Sequence, residues 1–214
     1  MPARDPLTEH LIRSTVPRPT VSALPQRIGG TRSRAGNAMA RTRAGLLDGA
    51  LRAVTRDGTR RTTMHDIAAV AGVAKATLYN HFRTKDDVWS ALVEAEVRAI
   101  AAECAELPLV DALVQAAHRL SEHPALRHLA DTEPAALAGL LSRRGQPAGW
   151  RAAEEAVRDR LAAACLGGED LVLRWLSSHL AAPARLGPIR TAAEALVRGL
   201  PPAPATEQGR EHAG

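Results

Sequence analysis

The chain has 214 residues, of which 45% are apolar and 24% charged, with a formal net charge of +5; this allows one or two small domains with a buried core and excludes disorder throughout. Alanine supplies 43 residues, whereas the aromatics are three Trp, Tyr79 and Phe82, a composition that favours packed helices over sheets. Charge is uneven: residues 1–90 hold 15 Arg or Lys against 7 Asp or Glu, and residues 91–214 hold 13 against 16, so the chain reads either as a basic nucleic-acid-binding half joined to an acidic half or as the product of an Arg- and Ala-rich proteome.

The longest charge-free run, Trp175–Ala184, has ten residues and is too short to span a bilayer. No apolar signal-peptide core opens the chain, and Cys104 and Cys165 are too few for a disulfide scaffold or a Cys-based zinc site. A soluble, cytoplasmic, all-α protein with no membrane partner is expected.

Residues 1–36 carry five Pro, three Gly and six Arg against Asp5 and Glu9, with no apolar period. They read as a disordered basic N-terminal arm. A passive tail, or a start of translation at Met39, is favoured over an arm that works on DNA. From Asn37 the period becomes helical: Leu46, Leu47, Ala50, Leu51 and Val54 form one stripe, and Asp57-Gly58 ends the helix with Gly58 as a left-handed cap. A short second helix starts at a capping box, Thr63 with Asp66, and ends at Gly72-Val73. A third runs through Lys75–Phe82. A second box, Thr84 with Asp87, opens a long fourth helix that ends near Glu106, ahead of Pro108. From Leu109 to about Leu200 the pattern is helical, with breaks at Pro124, Pro134, Gly145 to Pro147, Gly167-Gly168, Pro183 and Gly187-Pro188, and room for five or six helices. The tail 201–214 is expected to be disordered.

Ala68, Gly72 and Leu78 have the spacing of a helix-turn-helix. A small residue at Ala68 lets two helices cross closely, and Gly72 supplies the positive φ of the turn. Ile67, Val73, Leu78 and Phe82 fill the core beneath, which frees the outer face of the third helix for a DNA major groove. The string Thr62-Thr63-Met64-His65-Asp66-Ile67-Ala68, then Gly72-Val73-Ala74-Lys75-Ala76-Thr77-Leu78-Tyr79-Asn80-His81-Phe82, then Lys85, resembles the TetR family of bacterial transcriptional regulators. The resemblance is strong over about residues 40–95. It implies a helical homodimer whose N-terminal helices (37–95) bind a palindromic operator in double-stranded DNA, and whose C-terminal domain (96–200) binds a small effector and dimerises. Most members are repressors released by the effector; some activate.

Residue chemistry agrees with that implication. Thr63, Tyr79, His81 and Lys85 suit phosphate contacts, and Lys75, Ala76, Thr77 and Asn80 suit the base edges, Lys75 for guanine and Asn80 for adenine. Ala74 departs from the family, which often has Ser there to cap the third helix.

The pocket is expected between the fourth helix and residues 109–145, lined by Val97, Ile100, Leu113, Val114, Leu137, Leu140 and Leu141, with Cys104, Gln115 and His118 as polar contacts, and fit for a small apolar effector. An Ala-rich domain that packs solid is the alternative. Two stripes, Trp150, Ala153, Val157, Leu161 and Ala164, then Leu171, Trp175, Leu176, His179 and Leu180, read as paired dimer helices or as packing within one subunit. His118, His123 and His128 beside Asp111, Glu122 and Asp131 read as solvated rather than metal-binding, and the cysteines as core thiols. No catalytic constellation, metal site or cofactor motif emerges, so an enzyme is not expected. The leading reading is an effector-released repressor. The rival is a DNA-binding regulator whose helical domain takes a protein partner and no small molecule.

Overall fold

The structure is a computed structural model that describes residues 31–142 and 147–203. The chain divides into two compact units, Met1–Asn37 and Ala38–Gly214. Most of the expected arm, and the tail from residue 204, lie outside the described residues. The described end of the first unit is helical, because helix α1 (Thr31–Arg61) begins six residues ahead of the expected Asn37. Arg and Ala there are good helix formers and no Pro interrupts them.

Ten helices are described and no strand among them: α1, α2 (Met64–Ala71), α3 (Lys75–His81), α4 (Lys85–Cys104), α5 (Leu109–Glu122), α6 (Pro124–Thr132), α7 (Pro134–Leu141), α8 (Pro147–Ala163), α9 (Glu169–Ala181) and α10 (Leu186–Gly199). The fold is all-α, with an N-terminal helix-turn-helix. No described helix is long and apolar enough to cross a membrane.

Both capping boxes form as expected. Thr63 Oγ1 accepts from the Asp66 N–H and Asp66 accepts from the Thr63 N–H, and Thr84 and Asp87 do the same. Hydrogen bonds from Thr63 hold the Asp66 carboxyl below its ordinary range, and those from Thr84 do so for Asp87. Gly72 is left-handed, at φ 70° and ψ 30°.

Pro188 does not break a helix. It lies in the first turn of α10, where the missing N–H has no intrahelical partner in any case. Residues 201–203 are ordered, against the expectation for the tail: Gly167 N–H donates to Pro201 O and Ala203 N–H to Cys165 O. Cys165 is exposed at φ 56°, not a core thiol, because it forms the left-handed turn after α8. Cys104 is buried, and burial pushes its thiol up.

One hydrophobic core runs from Leu46, Ile67, Leu78, Phe82 and Val88 into Ala125, Leu129 and Leu137 of α6 and α7. A second joins Leu113, Leu161, Val172, Ile189 and Ala193. Helix α8 packs chiefly on α4, and α5 lies against both α9 and α10.

The end of α1 departs from the expected cap. Gly58 has φ 80° but ψ 174°, an extended rather than left-handed helical conformation. The freed backbone groups find a partner from far along the chain. The Glu133 carboxylate, buried at the head of α7, accepts from the Thr59 N–H at 3.2 Å, the Arg60 N–H at 3.1 Å and the Thr59 hydroxyl. Thr62 Oγ1 donates to Gly58 O at 2.6 Å. A Cβ on Gly58 would collide with Glu133 Oε1, so the site needs glycine for both its φ and its space.

Burial raises the Glu133 pKa, but the hydrogen bonds from Thr59 and Arg60 outweigh it and hold the group below the ordinary value of 4.5. A depressed carboxyl contributes stability that is present above its unfolded pKa and lost as pH falls through the folded one. Glu133→Gln is expected to lower stability by about 1–3 kcal/mol at neutral pH and to flatten the loss of stability below pH 4.5. Urea melts of both proteins across the acid range check this; equal acid slopes would remove Glu133 from the stabilising set.

Candidate nucleic-acid interface and interhelical cavity

Helix α3 is held by one buried side chain, Leu78, and by Phe82 just past its end. Met64, Val70, Val73 and Trp89 complete the packing beneath. That anchoring turns Lys75, Ala76, Tyr79 and Asn80 outward, while Thr77 and His81 are half-buried. Tyr79 is 45% exposed, and the Lys75 ammonium lies 5.8 Å from its ring centre. The Arg43 guanidinium lies 5.1 Å over the Phe82 ring, a contact between α1 and the end of α3 that periodicity alone does not disclose. Thr63 is exposed at the head of α2.

Ala74 occupies the N-cap position, at φ −65° and ψ 144°, with no side-chain cap. Lys85 is placed differently from the expected phosphate contact. Its Nζ donates to Thr59 O at 3.0 Å, so the ammonium serves the broken end of α1, where a peptide carbonyl lacks a helical partner.

A cavity of about 900 Å³ lies between α4, α5, α6, α7, α8 and α9 and reaches the end of α1. Of the expected lining, Val97, Ile100, Cys104, Leu113 and Leu140 are present. Val114, Gln115, His118, Leu137 and Leu141 are not. Val114 and Leu137 are buried in the two cores instead. The pattern does not show that α8 lies along α4, and so it misses Trp89, Glu96, Trp150 and Ala153.

His123 is buried rather than solvated. Its Nδ1 accepts from the Leu126 N–H at 3.4 Å as the cap of α6, and its Nε2 is 3.2 Å from Glu96 Oε2. Pro124 at the first position of α6 forces this geometry, because it starts a new helix and makes His123 its cap.

The expected dimer stripes are largely internal. Val157, Leu161 and His179 are buried in their own chain, and Trp150 donates its indole N–H to Leu140 O at 3.2 Å. Helix α8 lies on α4, and α9 on α5, of the same chain, which leaves these side chains little surface for a second copy. His179 sits edge-on to Trp175, 4.9 Å between ring centres, and Ser121 Oγ is 3.4 Å from its Nδ1. Burial lowers the His179 pKa. Leu171, in contrast, is 49% exposed. Among the described residues no group of His, Cys, Asp and Glu could hold a metal ion.

Residues 46–92 match the family of bacterial regulatory proteins designated tetR. Over this segment the chain is similar to TetR-family regulators. The HTH-type transcriptional regulator TtgR of Pseudomonas putida is 41% identical over 54 residues, 25% of this chain and 26% of that protein. The HTH-type transcriptional regulator AcrR of Shigella flexneri is 40% identical over 53 residues, 25% of each. The chain thus matches about a quarter of the length of these curated relatives. A TetR transcriptional regulator from Rhodococcus sp. RHA1 shares the fold, with 20% identity, a TM-score of 0.52, and coverage of 75% of this chain and 98% of that one.

The missing cap on α3 gives a direct test. Ala74→Ser restores an acceptor for a free N–H of the first turn and is expected to add about 1 kcal/mol of stability. A thermal melt checks it; an unchanged midpoint would show that the first turn of α3 is satisfied without a side chain.

Proposed function

We propose that the protein is a DNA-binding transcriptional regulator. In this reading it is a cytoplasmic homodimer that represses from a palindromic operator and is released by a small apolar effector. The observation that carries it is the outward face of α3, where Lys75, Ala76, Tyr79 and Asn80 are exposed on a helix pinned by buried Leu78. A helix anchored along one side and polar on the other fits a major groove. The regulatory names of TtgR and AcrR support the same activity over the matched segment.

The 900 Å³ cavity favours a small molecule over a protein partner for the helical domain. A second copy would be taken by the outer surface of α9 and α10, where Leu171 and Leu186 are about half exposed. Phosphate contacts fall to Thr63, Tyr79 and His81. Lys85 contributes first to the end of α1, through Thr59 O.

Footprinting with the purified protein, followed by sedimentation of the complex, tests the whole reading. A two-fold symmetric footprint with two copies bound is expected, and a single copy on an asymmetric site would overturn it. On that site Asn80→Ala should relax preference at one base pair per half-site, by about 1–3 kcal/mol. Tyr79→Phe should weaken all sequences alike without moving the melting temperature.

A further inference from the structure

We infer that the interhelical cavity selects an apolar molecule bearing one cationic head, seated on the Glu96 carboxylate. The inference rests on the effector reading above and names the ligand class.

Three observations carry it. First, the tautomer of His123 is fixed. A backbone N–H can only donate, so Nδ1, which accepts from Leu126, carries no proton. The proton is then on Nε2 and donates to Glu96 Oε2 at 3.2 Å. Held this way, His123 orients the Glu96 carboxylate on the cavity wall. His123 engages one of the two carboxylate oxygens, and each of these can accept further hydrogen bonds.

Second, of the four Lys and Arg that line the cavity, three are engaged by the protein itself, and the fourth, exposed Arg60, stands at the end of α1. Lys85 donates to Thr59 O. Arg98 pairs with Glu94 at 3.1 Å and reaches Glu155 at 3.9 Å. Arg160 donates to Ala105 O and Leu107 O, the carbonyls just past α4. An anionic head beside Arg98 or Arg160 would have to displace one of these contacts, whereas a cation meets Glu96 directly.

Third, a chain with three tryptophans places two of them, Trp89 and Trp150, at this cavity. Trp89 and Glu96 are seven residues apart on α4, and so lie on one face about two turns apart. Gly149 approaches so closely that its Cβ would lie 2.5 Å from Val93 Cγ1. That contact brings the start of α8 against Val93, about one turn of α4 from both Trp89 and Glu96. Indole faces attract cations, and the surrounding Leu, Val and Ala walls take an alkyl or aryl body.

The test uses the full chain and three probes with the same ten-carbon tail, each below its micelle limit: decyltrimethylammonium, decanol and decanoate. Tryptophan fluorescence titration and calorimetry report binding. The cation is expected to bind about tenfold tighter than decanol, with decanoate weakest. Glu96→Gln should remove the preference for the cation while leaving decanol unchanged. Decanoate binding as tightly as the cation, or a preference that survives Glu96→Gln, would overturn the inference and leave the effector cavity intact. If none of the three binds, the effector reading itself fails and this inference falls with it. The order among the three probes on the unaltered chain decides the matter even if the variant fails to fold.

Discussion

The junction at Gly58 is the constraint on which the architecture turns. A long helix cannot both carry the apolar stripe of Leu46, Leu47 and Ala50 and deliver the chain into α2 without a break. The break at Gly58 frees backbone N–H groups in a half-buried place, where each would cost free energy if left unpaired. Glu133 meets that need from the start of α7, and Lys85 meets the complementary need of the Thr59 carbonyl from the start of α4. Three helices far apart in sequence therefore meet at one turn. The front core continues through this turn into Ala125, Leu129 and Leu137, so the helix-turn-helix and the helices behind it share packing as well as hydrogen bonds.

This arrangement bears on how a cavity could influence α3. Thr59, Arg60, Lys85 and Trp89 line the cavity at the same end as the Gly58 junction. A molecule seated at that end would touch residues of the junction. Coupling of this kind requires an element with two arrangements that ligand and DNA bias differently. The broken end of α1 has the right composition for such an element: a short hydrogen-bonded turn, held by side chains rather than by a continuous helix.

The local signals are legible in the sequence and the long-range ones are not. Thr63 with Asp66, Thr84 with Asp87, Gly72, and the buried Ile67, Leu78 and Phe82 follow from spacing, because caps and turns depend on neighbours three or four residues away. The inward turn of Lys85, the buried His123 and the carboxylate of Glu133 depend on partners 26, 27 and more than 70 residues distant. No periodicity reports those. The stripe on α8 is visible, but not what it faces. An apolar face reads the same whether it covers α4 or a second copy, and here α8 lies on α4 with Val157 and Leu161 buried inside their own chain.

Alanine content explains why the front of the protein is solid and the rear is not. Leu46, Ile67, Leu78 and Val88 are fully buried and fill the space beneath α3 with branched side chains. Behind them, Ala101, Ala105, Ala112, Ala116, Ala136, Ala152, Ala153 and Ala156 all face the cavity. Helices pack about 8–10 Å apart when larger side chains interdigitate between them. A methyl group cannot fill that distance, and the helices cannot all close on one another, because α4 and α5 are also held by Leu113, Leu161, Val172 and Phe82 in the two cores. The volume that alanine leaves is therefore a consequence of helix spacing set elsewhere, and its apolar wall would hold water poorly. Such a wall makes any charge on it count for more than at the surface, since less solvent screens it. Glu96 owes its weight in ligand choice to the same alanines that open the space around it.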